Sequence, residues 1–147
     1  MKGYVSIHKI VDREILVNVS KFRIYARLHG FISEGFFRNG QSALDATFAL
    51  LSALSPLHID YIFDIRMSEA WPQNILQLWK EKALEIFAKY PQVHAVTVAN
   101  EGSPLRLQIL EWKEFFQKYG DRILGIFKTQ EDAEEFFDTL RGYANRP

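Results

Sequence analysis

Val5 and Ile7, then Ile15, Val17 and Val19, alternate with polar neighbours on either side of Val11-Asp12-Arg13. A period of two predicts two strands, each with one buried face, joined by a hairpin. After Ser20-Lys21 a third run places Phe22, Ile24, Ala26 and Leu28 on one face and Arg23, Tyr25 and Arg27 on the other, and Gly30 closes it. From Ser33 the period changes. Phe37, Leu44, Phe48, Leu51 and Leu54 share one helical stripe, which predicts a helix over Glu34 to Leu54, ended before Ser55-Pro56 because proline disfavours helical geometry in the residue preceding it. His58 to Asp64 is nearly continuous in apolar residues, as in a central strand covered on both faces. A loop over Ile65 to Ala70 then leads to a second helix carrying Ile75, Trp79, Ala83, Ile86, Phe87 and Tyr90, with Pro72 in its first turn and Pro91 beyond its end.

Val93 to Val98 reads as a β-branched strand, and Asn100 to Pro104 as a turn leading into a third helix, with Ser103 as N-cap and Pro104 in the first helical position. Leu105, Ile109, Trp112, Phe116 and Tyr119 form its inward stripe, and Gly120-Asp121 stops it. Ile123 to Phe127 is a last strand. Thr129 caps a fourth helix whose acids Glu131, Asp132, Glu134 and Glu135 suit the positive end of the helix dipole, with Ala133, Phe136, Phe137 and Leu140 turned inward. The predicted fold class is α/β on the α+β border, in the order β-β-β-α-β-α-β-α-β-α. Right-handed crossovers make the C-terminal strands parallel in a mixed sheet whose N-terminal strands are antiparallel.

At 147 residues this order fills one domain, 1–147. The 48% hydrophobic and 14% aromatic content exclude a disordered chain. Eighteen Lys and Arg against eighteen Asp and Glu leave no net field to attract a nucleic-acid backbone. The chain has no cysteine, so disulfides, thiolate nucleophiles and cysteine-bound metals are out of reach, and no stretch approaches the length of a membrane span. A cytoplasmic protein without cofactor or metal, nucleic-acid partner or membrane insertion is the expectation.

The order of elements resembles the STAS-like group, named for sulfate transporters and anti-sigma factor antagonists, and in particular its SpoIIAA-like branch. Four segments carry the likeness: Leu28-His29-Gly30-Phe31-Ile32-Ser33 entering the first helix, His58 to Arg66 with its hydrophobic strand and Asp64, Ala95 to Ala99, and Ile126 to Phe137 with its strand, Thr cap, acidic turn and aromatic helix. Together they span residues 4 to 141. The resemblance implies a SpoIIAA-like fold and a regulatory role through protein–protein contact. Anti-sigma factor antagonists carry an Asp-Ser-Ser-Gly-like element whose serine is phosphorylated. Here the facing positions are Gln73 or Asn74, and the nearest hydroxyl, Ser68, lacks the flanking pattern, so the phosphoswitch does not carry over. The branch also resembles lipid-carrying SEC14-type domains in fold, which keeps a small-ligand role open by analogy.

The chemistry is sparse. His8, His29, His58 and His94 show no ligand spacing, and His58 and His94 begin parallel strands, whereas ligand crevices in such sheets lie at the carboxyl ends. That rim gathers Asp64, Arg66 and Ser68, then Asn100 and Ser103, then Lys128 and Thr129, beside three helix starts. These seven are the candidate ligand- or partner-binding residues, with Asp64 foremost because an acid ending a buried strand requires donors. No nucleophile elbow, phosphate-cradling loop or dinucleotide fingerprint occurs, and Gly30, Gly35 and Gly40 read as a hinge or a close helix–sheet approach. In the adjacent pairs Phe36-Phe37, Phe115-Phe116 and Phe136-Phe137, one member sits at the edge of its stripe, with Phe36, Phe115 or Phe137 the exposed candidates. The expectation is a non-enzymatic interaction module, as a homodimer or with another protein partner. The alternative is a carrier or sensor of a small lipophilic or anionic ligand held between helices and sheet.

Overall fold

Six strands lie side by side in chain order: β1 (Val5–Ile10), β2 (Arg13–Asn18), β3 (Arg23–Gly30), β4 (Ile59–Ser68), β5 (Val93–Val98) and β6 (Ile123–Phe127). The four helices are α1 (Glu34–Ala53), α2 (Gln73–Lys89), α3 (Arg106–Phe116) and α4 (Gln130–Leu140). The computed structural model describes residues 1–54, 56–117 and 122–143, the side chains of Ile109, Trp112, Lys113, Phe115 and Phe116 excepted. Most of the third helical stripe, the stop at Gly120-Asp121 and the exposure of Phe115 therefore lie outside the described residues.

β1, β2 and β3 pair antiparallel, and β3 through β6 pair parallel, giving the mixed α/β sheet that the periodicities predict. Each crossover after β3 advances the sheet in the same direction, so right-handed connections place their helices on a single face. On that face Ile24, Ala26, Tyr61 and Phe63 pack under Leu44, Phe48 and Leu51 of α1 and Trp79, Ala83 and Phe87 of α2, and Leu105, just before α3, joins them. Among the described residues no strand follows α4, which is free of this constraint. It covers the other face, where Ala133 and Phe137 bury Leu16, Tyr25, Ile62, Val96 and Val98.

That second layer corrects the expectation that Arg23, Tyr25 and Arg27 line a polar outward face: Arg23 and Tyr25 are fully buried beneath α4, and Arg27 is half-buried. β1 departs in the opposite sense. Val5 is 63% and Ile7 47% exposed, because β1 is the outermost strand of the sheet and the apolar cores form without it. Val19 falls past the end of β2, and Leu54 and Leu140 fall at the ends of their helices, so these three are exposed as well. Of the Phe pairs, Phe137 is buried and its neighbour Phe136 half-buried, the reverse of the assignment that left Phe137 at the edge.

The stretch Ile65–Ser68, expected as loop, is strand. β3 continues to Gly30 and supplies partners out to Gly30↔Ser68, with a bulge between the pairs Arg27↔Asp64 and His29↔Met67, where β4 has two intervening residues, Ile65 and Arg66, against one of β3, Leu28. Ser103 does not cap α3. Its N–H donates to the Asn100 carbonyl and its own carbonyl accepts from Arg106, so Pro104 lies in a turn and the helix starts two residues further on than Pro104. Thr129 does cap α4, its hydroxyl accepting from the Asp132 N–H at 3.1 Å.

Candidate functional site

Strand parity puts Asp64 on the α4 face beside Ile62, level with Val98 and Phe127, which end β5 and β6. Asp64 thus sits inside β4, with four more strand residues extending past the ends of β5 and β6, and does not end a strand as expected. Its donors are close by. The Tyr25 hydroxyl donates to Oδ2, the Arg66 backbone N–H to Oδ1 at 3.1 Å, and the Arg66 guanidinium to Oδ1 and Oδ2 at 3.0 and 2.7 Å. Burial alone would raise the Asp64 pKa, but the bonds from Arg66 and Tyr25 outweigh it and hold the carboxyl below its usual value. Burial, then the bond to Asp64, pushes the Tyr25 phenol up, so it remains a proton donor in the pair. This arrangement fixes charge in place and suits neither a general acid nor a general base at neutral pH.

Because the folded pKa of Asp64 lies below the unfolded value of roughly 3.9, its stabilisation is fully present above that value and vanishes as pH falls through the folded one. Asp64→Asn is expected to lose about 1–3 kcal/mol at neutral pH. Urea unfolding at pH 7 and again near pH 3 checks this: the gap between the two proteins narrows under acid, and a gap unchanged by pH would refute the assignment.

Of the other six predicted site residues, Asn100 joins this cluster through a long bond to the Arg66 carbonyl, 3.4 Å. Ser68 turns to the opposite layer, where its hydroxyl accepts from Trp71 Nε1 at 3.2 Å and donates to the Glu69 carbonyl at 3.1 Å. Ser103 is buried, and its hydroxyl has no hydrogen-bond partner among the described residues. Lys128 makes an exposed pair with Glu101, a contact worth little in water. Thr129 serves as cap. The seven residues are therefore one small cluster and several separate local contacts.

The amino-end rim holds a second polar cluster, beneath α4. Arg23 donates to Asp60 at 3.2 Å, Glu134 at 2.6 Å and Asp138 at 2.9 Å, and Arg141 donates twice to Asp60, at 2.9 and 2.8 Å. Tyr4 donates to Glu134, Lys21 to Asp138, and His94 Nδ1 lies 3.4 Å from Arg141. Burial, reinforced by Arg141, lowers the His94 pKa and keeps it neutral. Acids and bases balance here, and the cluster fastens α4 to the sheet.

A narrow apolar slot lies elsewhere, between α1 and the sheet. Leu28, Ile32, Leu44, Phe63, Trp71 and Trp79 are among its walls, and the aromatic rings meet at 5.9 Å for Phe63–Trp71 and 5.2 Å for Phe63–Trp79. The slot is narrow and partly open to solvent, with a cavity volume of about 50 Å³. Its surface is almost wholly apolar, with Arg13 and Gln41 as polar exceptions. Arg13 went unnoticed in the sequence reading, although the alternation that turns Ile15 and Val17 inward also turns Arg13 inward. A wider groove between β6 and α4, lined by Phe127, Phe136 and Leu140, is largely open to solvent.

Among the described residues no group of His, Cys, Asp or Glu could hold a metal ion, and no helix is long and apolar enough to cross a membrane. Comparison with protein-family models, with curated proteins and with solved structures finds no match.

Proposed function

We propose that this protein is a non-enzymatic binding module that holds a small lipophilic molecule in the slot between α1 and the sheet. The supporting observation is the slot itself: a narrow apolar space inside an otherwise well-packed layer, walled by two tryptophans and Phe63. Native cores fill such spaces with side chains, and an apolar void that stays open forfeits dispersion contacts on its lining. A bound molecule would restore them. The satisfied, charge-fixed state of Asp64 adds to the non-enzymatic reading, and the order of strands and helices is in keeping with a STAS-like, SpoIIAA-like fold.

A second reading, contact with another protein or a second copy, draws on β1. Val5, Ile7 and Ile10 are exposed on the outermost strand, whose free backbone edge can pair with another strand. Native mass spectrometry of gently purified protein separates the two. The slot reading expects a stoichiometric small-molecule adduct that disappears in Ala26→Leu, which fills the sheet side of the slot. A dimer without adduct favours the β1 reading, and a bare monomer removes support from both.

A further inference from the structure

Arg13 is 5% exposed, and its guanidinium is held only by neutral groups. Nη1 donates to the Phe36 carbonyl at 2.6 Å, Nε and Nη2 both approach His8 Nε2 at 3.1 Å, and the ring of Phe36 lies 4.2 Å from the guanidinium carbon. A guanidinium only donates, so His8 Nε2 must be the acceptor and His8 is neutral with its proton on Nδ1. Burial, then the Arg13 charge, lowers the His8 pKa and agrees with that state. Among the described residues no carboxylate is ion-paired with Arg13. The adjacent acid, Glu14, pairs instead with Lys9 and Arg27. A cation withdrawn from water without a counter-charge is costly, and buried charges in folded proteins are ordinarily paired.

Two further observations bear on this position. α1 carries glycine at residue 40, where a Cβ would come within 2.4 Å of Arg13 Nη1 and 2.6 Å of its guanidinium carbon, so the helix is cut away to admit the charge. Arg13 is also one of the residues lining the apolar slot, as is Gln41, whose buried Oε1 has no partner among the described residues. The guanidinium also has more N–H donors than these contacts use, in a planar fork that matches a carboxylate.

Resting on the slot reading above, we infer that the ligand is a slim carboxylic amphiphile, its carboxylate on Arg13 and its aliphatic or single-ring body between Leu28, Ile32, Leu44 and Trp79. The narrowness of the slot excludes bulky polycyclic bodies, and the lone positive charge selects the head group.

Octanoate and 1-octanol share a tail and differ in head-group charge, so calorimetric titration of the whole protein with each tests the inference. Octanoate is expected to bind at least tenfold more tightly than octanol, and Arg13→Met to abolish that preference while octanol binding stays the same. Equal affinity of the native protein for the two overturns the Arg13 assignment and leaves the slot reading standing. Binding of neither overturns both. An octanoate preference that survives in Arg13→Met also overturns the assignment. The comparison on the native chain needs no variant, so it remains decisive if Arg13→Met fails to fold.

Discussion

Asp60→Ala is expected to cost about 3–5 kcal/mol of folding stability, a large share of what a domain of this size possesses. Asp60 is fully buried and accepts from two guanidiniums, those of Arg23 and Arg141. Arg23 is itself fully buried, and one of its terminal nitrogens, Nη2, already lacks a partner among the described residues. Removing the carboxylate strands positive charge under α4 with only Glu134 and Asp138 to answer it, and both of those reach the same nitrogen, Nη1. The double replacement Arg23→Met with Asp60→Leu removes the fully buried pair but leaves Arg141 without Asp60, and Glu134 and Asp138 without Arg23, so it is expected to recover only part of the loss. Urea unfolding followed by far-ultraviolet circular dichroism measures both. A loss below about 1 kcal/mol in Asp60→Ala, the range of a surface pair, would show that water reaches the cluster.

The other large effect belongs to the α1 layer. Phe48 is fully buried, stacked on Tyr90 at 5.7 Å and edge-on to Tyr61 at 5.6 Å. Phe48→Ala removes a ring that two others rest on, and the cavity left behind cannot collapse because its walls belong to the sheet and to α2. A loss of about 3–5 kcal/mol follows, which for a chain of this length lowers the melting temperature by roughly 10–20 °C. Phe48→Leu retains most of the volume and is expected to lose less than half as much. Calorimetric melting of the three proteins checks the ordering, and equal losses in the two variants would mean that volume is not what the position supplies. Tyr61 is also a wall of the slot, so Phe48→Ala should in addition loosen that wall and raise exposure of Trp79 to a soluble quencher.

The topology was legible because it depends on periods of two and 3.6 that each element carries within itself. Ile75, Trp79, Ala83, Ile86, Phe87 and Tyr90 are all buried as their spacing requires. What failed depended on partners distant in sequence. The extension of β4 to Ser68 is decided by the length of β3, and polar residues such as Arg66 and Ser68 give no local sign of it. Which face a terminal helix covers is likewise not a local property. Glu134 reads as a companion of the helix dipole, yet it and Asp138, four residues on along α4, both turn down onto Arg23, 111 and 115 residues away in the chain. The candidate site divides along the same line. Asp64–Arg66 is a contact between residues two apart and was visible. Arg13 beneath Gly40 joins a β-strand to a helix, and although each carried its own signal, an inward-phased arginine and a glycine in a helix, nothing local connects them.

The fastening of α4 also bears on how the chain comes to be made. Tyr4, Lys21 and Arg23 are translated more than a hundred residues before their partners Glu134 and Asp138. Throughout synthesis the nascent sheet shows the ribosome exit and its attendants a bare apolar face of Leu16, Tyr25, Ile62, Val96 and Val98, with an arginine that has yet to meet two of its acids. Final closure therefore waits until α4 has emerged, and any fragment cut short before Gln130 carries an uncovered sheet that invites chaperones or aggregation.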